Sequence, residues 1–121
     1  LGSLVIDQIR QFHPRHVVLT IGALTPGGIL DFSMGETEVA RAMVEQASEL
    51  TVLADSSKID RPGLFQVCPL SSIDRLVIDQ APSGPVAAAL AAAGVQLIVP
   101  EPAGSTVVDK GRRRRGSRRA A

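Results

Sequence analysis

The sequence has no tryptophan, no tyrosine and only three phenylalanines, Phe12, Phe32 and Phe65. A core therefore has to be filled by Val, Leu, Ile and Ala, the usual filling of a parallel β-sheet. The single cysteine, Cys68, excludes an internal disulfide and suits a reducing compartment. No apolar run approaches the ~20 residues of a membrane-spanning helix, and no charged-then-apolar leader opens the chain. The expectation is a soluble, cytoplasmic protein without a membrane partner. Acidic residues are missing from one end only. Residues 1–109 carry six basic and twelve acidic groups, net −6, whereas residues 110–121 carry Lys110, six arginines and no acid, net +7. The overall +1 therefore describes neither part. At 121 residues and 45% hydrophobic content, one domain fits.

What is present alternates. Ser3 can cap a short helix to about Phe12, which Pro14 ends by disfavouring helix at His13. His16–Ile21 reads as a buried strand ending at Gly22-Ala23, and Thr25-Pro26-Gly27-Gly28 as a turn. Ser33-Met34-Gly35-Glu36 fits a capping box opening a helix to about Glu49, with Val39, Met43, Ala47 and Leu50 as its inner stripe. Glu38 is placed in its first turn, where the helix dipole favours a carboxylate. Phe65–Cys68 reads as a short extended piece, Arg75–Ile78 as a strand ending on Asp79, and Ser83-Gly84-Pro85 as the start of a helix that Gly94 ends. Val95–Val99 is the last strand. Residues 1–102 are expected to be ordered and 103–121 to form a disordered Arg-rich tail.

Strands alternating with helices imply α/β architecture: a mostly parallel sheet flanked by helices, with right-handed crossovers. The organising stretch is Leu50-Thr51-Val52-Leu53-Ala54-Asp55-Ser56-Ser57-Lys58. Five mostly apolar residues run into an acid, two hydroxyls and an ammonium group. Ligands of open α/β sheets bind beyond the carboxyl ends of the strands, so this reads as a strand delivering a polar cluster to a site. Gly22-Ala23 and Asp79-Gln80 are expected at the same edge.

The series Gly22-Ala23, Pro26-Gly27-Gly28, Glu36-Thr37-Glu38-Val39-Ala40, Leu53-Ala54-Asp55-Ser56-Ser57-Lys58 and Ile73-Asp74-Arg75-Leu76-Val77-Ile78-Asp79 resembles the C-terminal sensor domain of DeoR/GlpR-type bacterial transcriptional regulators. The resemblance runs from about Gly2 to Val99. It implies a fold shared with ribose-5-phosphate isomerase and glucosamine-6-phosphate deaminase, and a phosphorylated sugar or related metabolite as effector. It also implies homo-oligomers, and DNA binding through an N-terminal helix-turn-helix that has no counterpart in this sequence. The family's Gly-Thr-Thr phosphate loop has none either, so the chain is expected to hold the later part of the sensor domain. No cofactor is implied.

The candidate ligand-binding residues are Gly22, Glu38, Asp55, Ser57 and Lys58. Lys58 offers three donors to a phosphate or sugar oxygen, against the plain alternative of a solvated lysine. Asp55 could hold sugar hydroxyls, orient Lys58, or cap the following turn. Ser56 and Ser57 lean towards structural roles. Gly22 would admit a ligand close to the backbone, or form a tight turn. Glu38 resembles in position the catalytic carboxylate of the related isomerases, which keeps open an enzyme reading: a sugar-phosphate isomerase or deaminase with Glu38 as acid/base and Lys58 on the phosphate. Asp79 reads as a turn or cap residue. His13 and His16 lack a Cys or carboxylate at ligand spacing and imply no metal, and Cys68 lacks the basic neighbours of a reactive thiol. The arginine run could bind DNA phosphates non-specifically or act as a solubilising tail.

Overall fold

The computed structural model describes residues 3–101. The expected tail, 103–121, lies outside the described residues. Twelve elements follow the chain, seven of them strands. Helix α1 is Ser3–Arg10, β1 is His16–Thr20, and a hairpin of β2 (Ala23–Thr25) and β3 (Gly28–Asp31) comes next. Helix α2 spans Met34–Gln46, followed by β4 (Glu49–Ala54), a 3₁₀ turn at Ser56–Lys58, and β5 (Phe65–Cys68). A second 3₁₀ turn (Leu70–Ser72), β6 (Arg75–Ile78), α3 (Gly84–Ala92) and β7 (Gln96–Ile98) complete the order.

The main sheet has strand order β1-β4-β6-β7 and is parallel throughout. The smaller antiparallel sheet, β2-β3-β5, differs from the expectation, which had a turn at residues 25–28 without the strands around it. Its strands are three or four residues long, too short to show a period of two. Gly28 carries the hairpin. Its φ is +145°, and a Cβ there would come within 2.3 Å of the Cys68 carbonyl, so only glycine lets β3 approach β5. Phe65–Cys68 accordingly joins the hairpin and not the parallel sheet.

Helix α2 starts where the sequence placed it. The Ser33 Oγ accepts from Glu36 N at 3.3 Å, and the Thr37 hydroxyl donates to Ser33 O at 2.7 Å, which satisfies a fully buried side chain. Two details are corrected. The first-turn acid is Glu36, with Glu38 beyond it and exposed, and the helix ends at Gln46 with Ala47 extended. The deepest positions of the helix are Thr37 and Ala42, while Ala40, Met43, Val44 and Ala47 are partly buried against the central apolar core. Arg41 Nε donates to Gln66 O at 2.7 Å, tying the helix to β5.

Residues paired in parallel register share a face. Val17, Leu50, Val52, Leu76 and Ile78 turn to the core, all 4% exposed or less, against the small sheet, α2 and α3. The opposite face carries Val18, Leu53, Val77 and Ile98 with much less cover. At its amino end Thr51 is only 7% exposed, roofed by His16 Nε2 at 2.8 Å and Arg75 Nε at 3.2 Å, and Arg75 pairs with Glu49. No helix among the described residues is long and apolar enough to cross a membrane.

Candidate functional site

The carboxyl ends of β1, β4 and β6 open on a cavity of about 480 Å³. Thr20, Ile21, Leu53, Ala54, Val77, Ile78 and Pro100 form its walls, and Asp55, Lys58 and Asp79 supply its charges. A parallel sheet points its strand ends, and the loops that follow, to one edge, which is why residues far apart in sequence meet here.

The loop after β4 is fixed from within. Asp55 caps the 3₁₀ turn, its Oδ1 accepting from Ser57 N at 3.0 Å and from the Ser57 hydroxyl. Lys58 N donates to Asp55 O at 3.0 Å. Asp79, at the end of the neighbouring strand, accepts from Ser56 N at 2.6 Å and from Ser56 Oγ at 3.3 Å. All three amides from Ser56 to Lys58 are thereby occupied, so the loop is not a nest of free N–H groups for a phosphate. The group it presents to an incoming anion is the Lys58 ammonium, which forms no ion pair with any described residue. The Ser57 hydroxyl and its backbone amide hold the Asp55 carboxyl below its usual value; desolvation opposes them, and the charges of Lys58 and Arg61 add the weakest lowering effects. Asp55 is therefore an anion at neutral pH, and the lining charges sum to one positive and two negative.

Of the five predicted residues, the structure brings Asp55 and Lys58 into the lining, with Ser57 bonded behind Asp55. Gly22 follows the lining residue Ile21, but its close neighbours are internal. A Cβ there would lie 2.9 Å from the Phe32 ring, and Gly22 N donates to Leu30 O at 3.0 Å. Glu38 does not line this cavity. Its neighbour Glu36 lines a different one of about 420 Å³, with Val18, Thr20, Asp31 and Val39. Among the described residues no group of three or more His, Cys, Asp or Glu could hold a metal ion.

Thr20 and Pro100 line the cavity without a motif to mark them, although the strand-edge rule points to Thr20 at the end of β1. Asp79, expected at this edge as a turn or cap residue, accepts from Ser56 N of the neighbouring loop across a sequence separation of 23.

The family profile described as the DeoR C terminal sensor domain matches residues 1–80, about two thirds of the chain. The chain belongs to that family. Among its relatives, the HTH-type transcriptional repressor GlcR of Bacillus subtilis (strain 168) is 30% identical over 100 residues, covering 83% of this chain and 39% of the relative. The glycerol-3-phosphate regulon repressor of Haemophilus influenzae is 30% identical over 85 residues, 69% of this chain and 33% of the relative. The protein of that name in Escherichia coli (strain K12) is 26% identical over 83 residues, 68% and 33%. This DeoR sensor-domain chain thus spans between a third and two fifths of these curated relatives. The matched relatives are repressors, so the chain is sensor-domain sequence of a transcriptional-regulator family.

Proposed function

We propose that this DeoR sensor-domain chain binds a small phosphorylated sugar or polyol at the carboxyl edge of its parallel sheet, as the effector-responsive part of an oligomeric DNA-binding repressor. The observation that carries this reading is Lys58: an ammonium group without an ion-pair partner among the described residues, set by a capped turn at the mouth of a 480 Å³ cavity. The geometry also limits how the ligand is held. The loop amides are taken, so among the described residues the phosphate relies on Lys58. Asp55, Asp79 and Thr20 offer acceptors, and Thr20 a donor, to hydroxyls. A polyhydroxylated monoanion or dianion suits that division better than an apolar acid does. The relatives named as glycerol-3-phosphate regulon repressors point to the same chemical class. Ligand affinity that differs between two arrangements of the regulator would shift DNA binding elsewhere in the protein.

Thermal melting of the chain with millimolar phosphorylated sugars and glycerol 3-phosphate tests the reading. A ligand at 100 times its Kd adds about 2.7 kcal/mol of stability. The expected result is a raised Tm for one or a few ligands, abolished in Lys58→Ala while the melt of the unliganded variant stays cooperative. Equal stabilisation of wild type and Lys58→Ala would remove Lys58 from the site. The enzyme alternative predicts turnover lost in Glu38→Gln, and no feature of the cavity calls for that residue.

A further inference from the structure

The cavity at the carboxyl edge holds charges of both signs that do not pair with one another. Lys58 shares its lining with Asp55 and Asp79, yet among the described residues the ion pair that forms is Arg75 with Glu49, at the amino edge of the sheet. Both carboxylates are turned to uncharged donors of one short loop. Asp55 Oδ1 takes the Ser57 amide and hydroxyl, and Asp79 takes Ser56 N at 2.6 Å and Ser56 Oγ at 3.3 Å. Asp55 Oδ2 is left without a protein donor among the described residues, and the Ser56 Oγ contact of Asp79 Oδ2 is long for a hydroxyl donor. A phosphate on Lys58 therefore answers only one half of this pattern. The other half is two anionic groups, serving consecutive residues and so within reach of one small ligand.

We propose that the ligand of this cavity is zwitterionic: a phosphorylated amino sugar or amino polyol whose phosphate meets Lys58 and whose ammonium group meets Asp55 and Asp79. The proposal rests on the effector reading above and narrows it. A hydroxyl donates to the same carboxylates but leaves their charge uncompensated beside a phosphate. An ammonium group compensates that charge, and hydrogen bonds to ionised partners are roughly twice as strong as neutral ones. Its three donors also let it serve both carboxylates at once. The separation of charge in the lining then fixes the ligand's direction, because the reversed pose sets phosphate against two carboxylates and ammonium against Lys58.

Matched ligands test this by thermal melting of the full chain, with Kd taken from the dependence of Tm on ligand concentration. Glucosamine 6-phosphate is compared with glucose 6-phosphate, and serinol phosphate with glycerol 3-phosphate; each pair exchanges one hydroxyl for an ammonium group. The amine member of at least one pair is expected to bind about tenfold more tightly, and its N-acetyl derivative to lose that advantage. Asp55→Asn and Asp79→Asn each keep an acceptor oxygen for the loop amide and remove one charge. Both should shrink the preference for the amine while leaving or improving affinity for the hydroxyl member, which a purely structural role of the carboxylates would not do. If either variant melts without cooperativity, the N-acetyl comparison in the wild-type chain decides. Tightest binding by a ligand without an amine, in these pairs or among the other phosphorylated sugars, overturns the zwitterion and leaves the effector reading standing. A preference undiminished in both Asn variants does the same. Stabilisation by none of these compounds removes the effector reading and this proposal with it.

Discussion

The two faces of the parallel sheet are made of similar residues and live in different surroundings. On one, Val52 and Leu76 are 0% exposed, covered by the small sheet and by helices α2 and α3. On the other, Val18 is 54% and Leu53 40% exposed, though each sits one residue from a buried neighbour in its strand. Parallel strands are usually buried on both sides, and their runs of Val, Leu and Ile here fit that habit on both faces. The contrast teaches that side-chain character specifies a strand's suitability for burial, while the elements present around the sheet decide which half is buried.

Four measurements sharpen or break that comparison. The largest effect is expected from Leu76→Ala, on the covered face. Removing a fully buried leucine side chain should cost about 2–5 kcal/mol in denaturant unfolding. A loss below about 1 kcal/mol would mean that the covered face is loosely packed.

Cys68 probes the same core by pH. Burial pushes its thiol up to about 11 from 9.0, partly opposed by a hydrogen bond from Ser72. A raised pKa means that the native state holds its proton longer than the unfolded chain. Stability from this group is therefore complete below about pH 9 and is lost as pH rises towards about 11. Melts across pH 8–11, with Cys68→Ala as the reference, check the sign, and a thiol reagent at pH 8 should label Cys68 only after unfolding.

Thr51→Val comes next, on the poorly covered face. It keeps shape but removes the hydroxyl that meets both His16 and Arg75, for an expected loss of about 1 kcal/mol. An unchanged melt would show that the polar roof adds cover without stability. Leu53→Ala, the counterpart of Leu76→Ala, should cost about 0.5–1 kcal/mol. A cost as large as that of Leu76→Ala would show that something covers this face in solution.

Much of the architecture was legible because it rests on local signals. Ser33 with Glu36 announced α2, Pro85 and Gly94 bracketed α3, and the apolar runs Val17–Leu19, Leu50–Leu53 and Leu76–Ile78 became β1, β4 and β6. Gly94 indeed has φ +76°, the left-handed end of a helix. The small sheet was not legible, because strands of three or four residues carry no clear period and Gly28 is required by a contact with Cys68, forty residues on. The candidate site divides in the same way. Asp55 and Lys58 stood out as a strand-end cluster, but the role of Asp79 depends on the register of β6 beside β4, and Gly22 is explained by a ring packed from β3's far end.

By itself the sequence determined the kind of structure: parallel strands from apolar runs, helices from caps and periodicity, and a segregation of charge between body and C-terminal end. These are properties of neighbouring residues, and neighbours in sequence stay neighbours in any fold. The tertiary structure alone decided that Asp79 would clamp Ser56, that the loop amides would be consumed and Lys58 left facing the cavity, and that among the described residues one face of the sheet would be covered far more than the other. Each of those depends on which distant strand ends are brought together, and only the packed sheet sets that geometry.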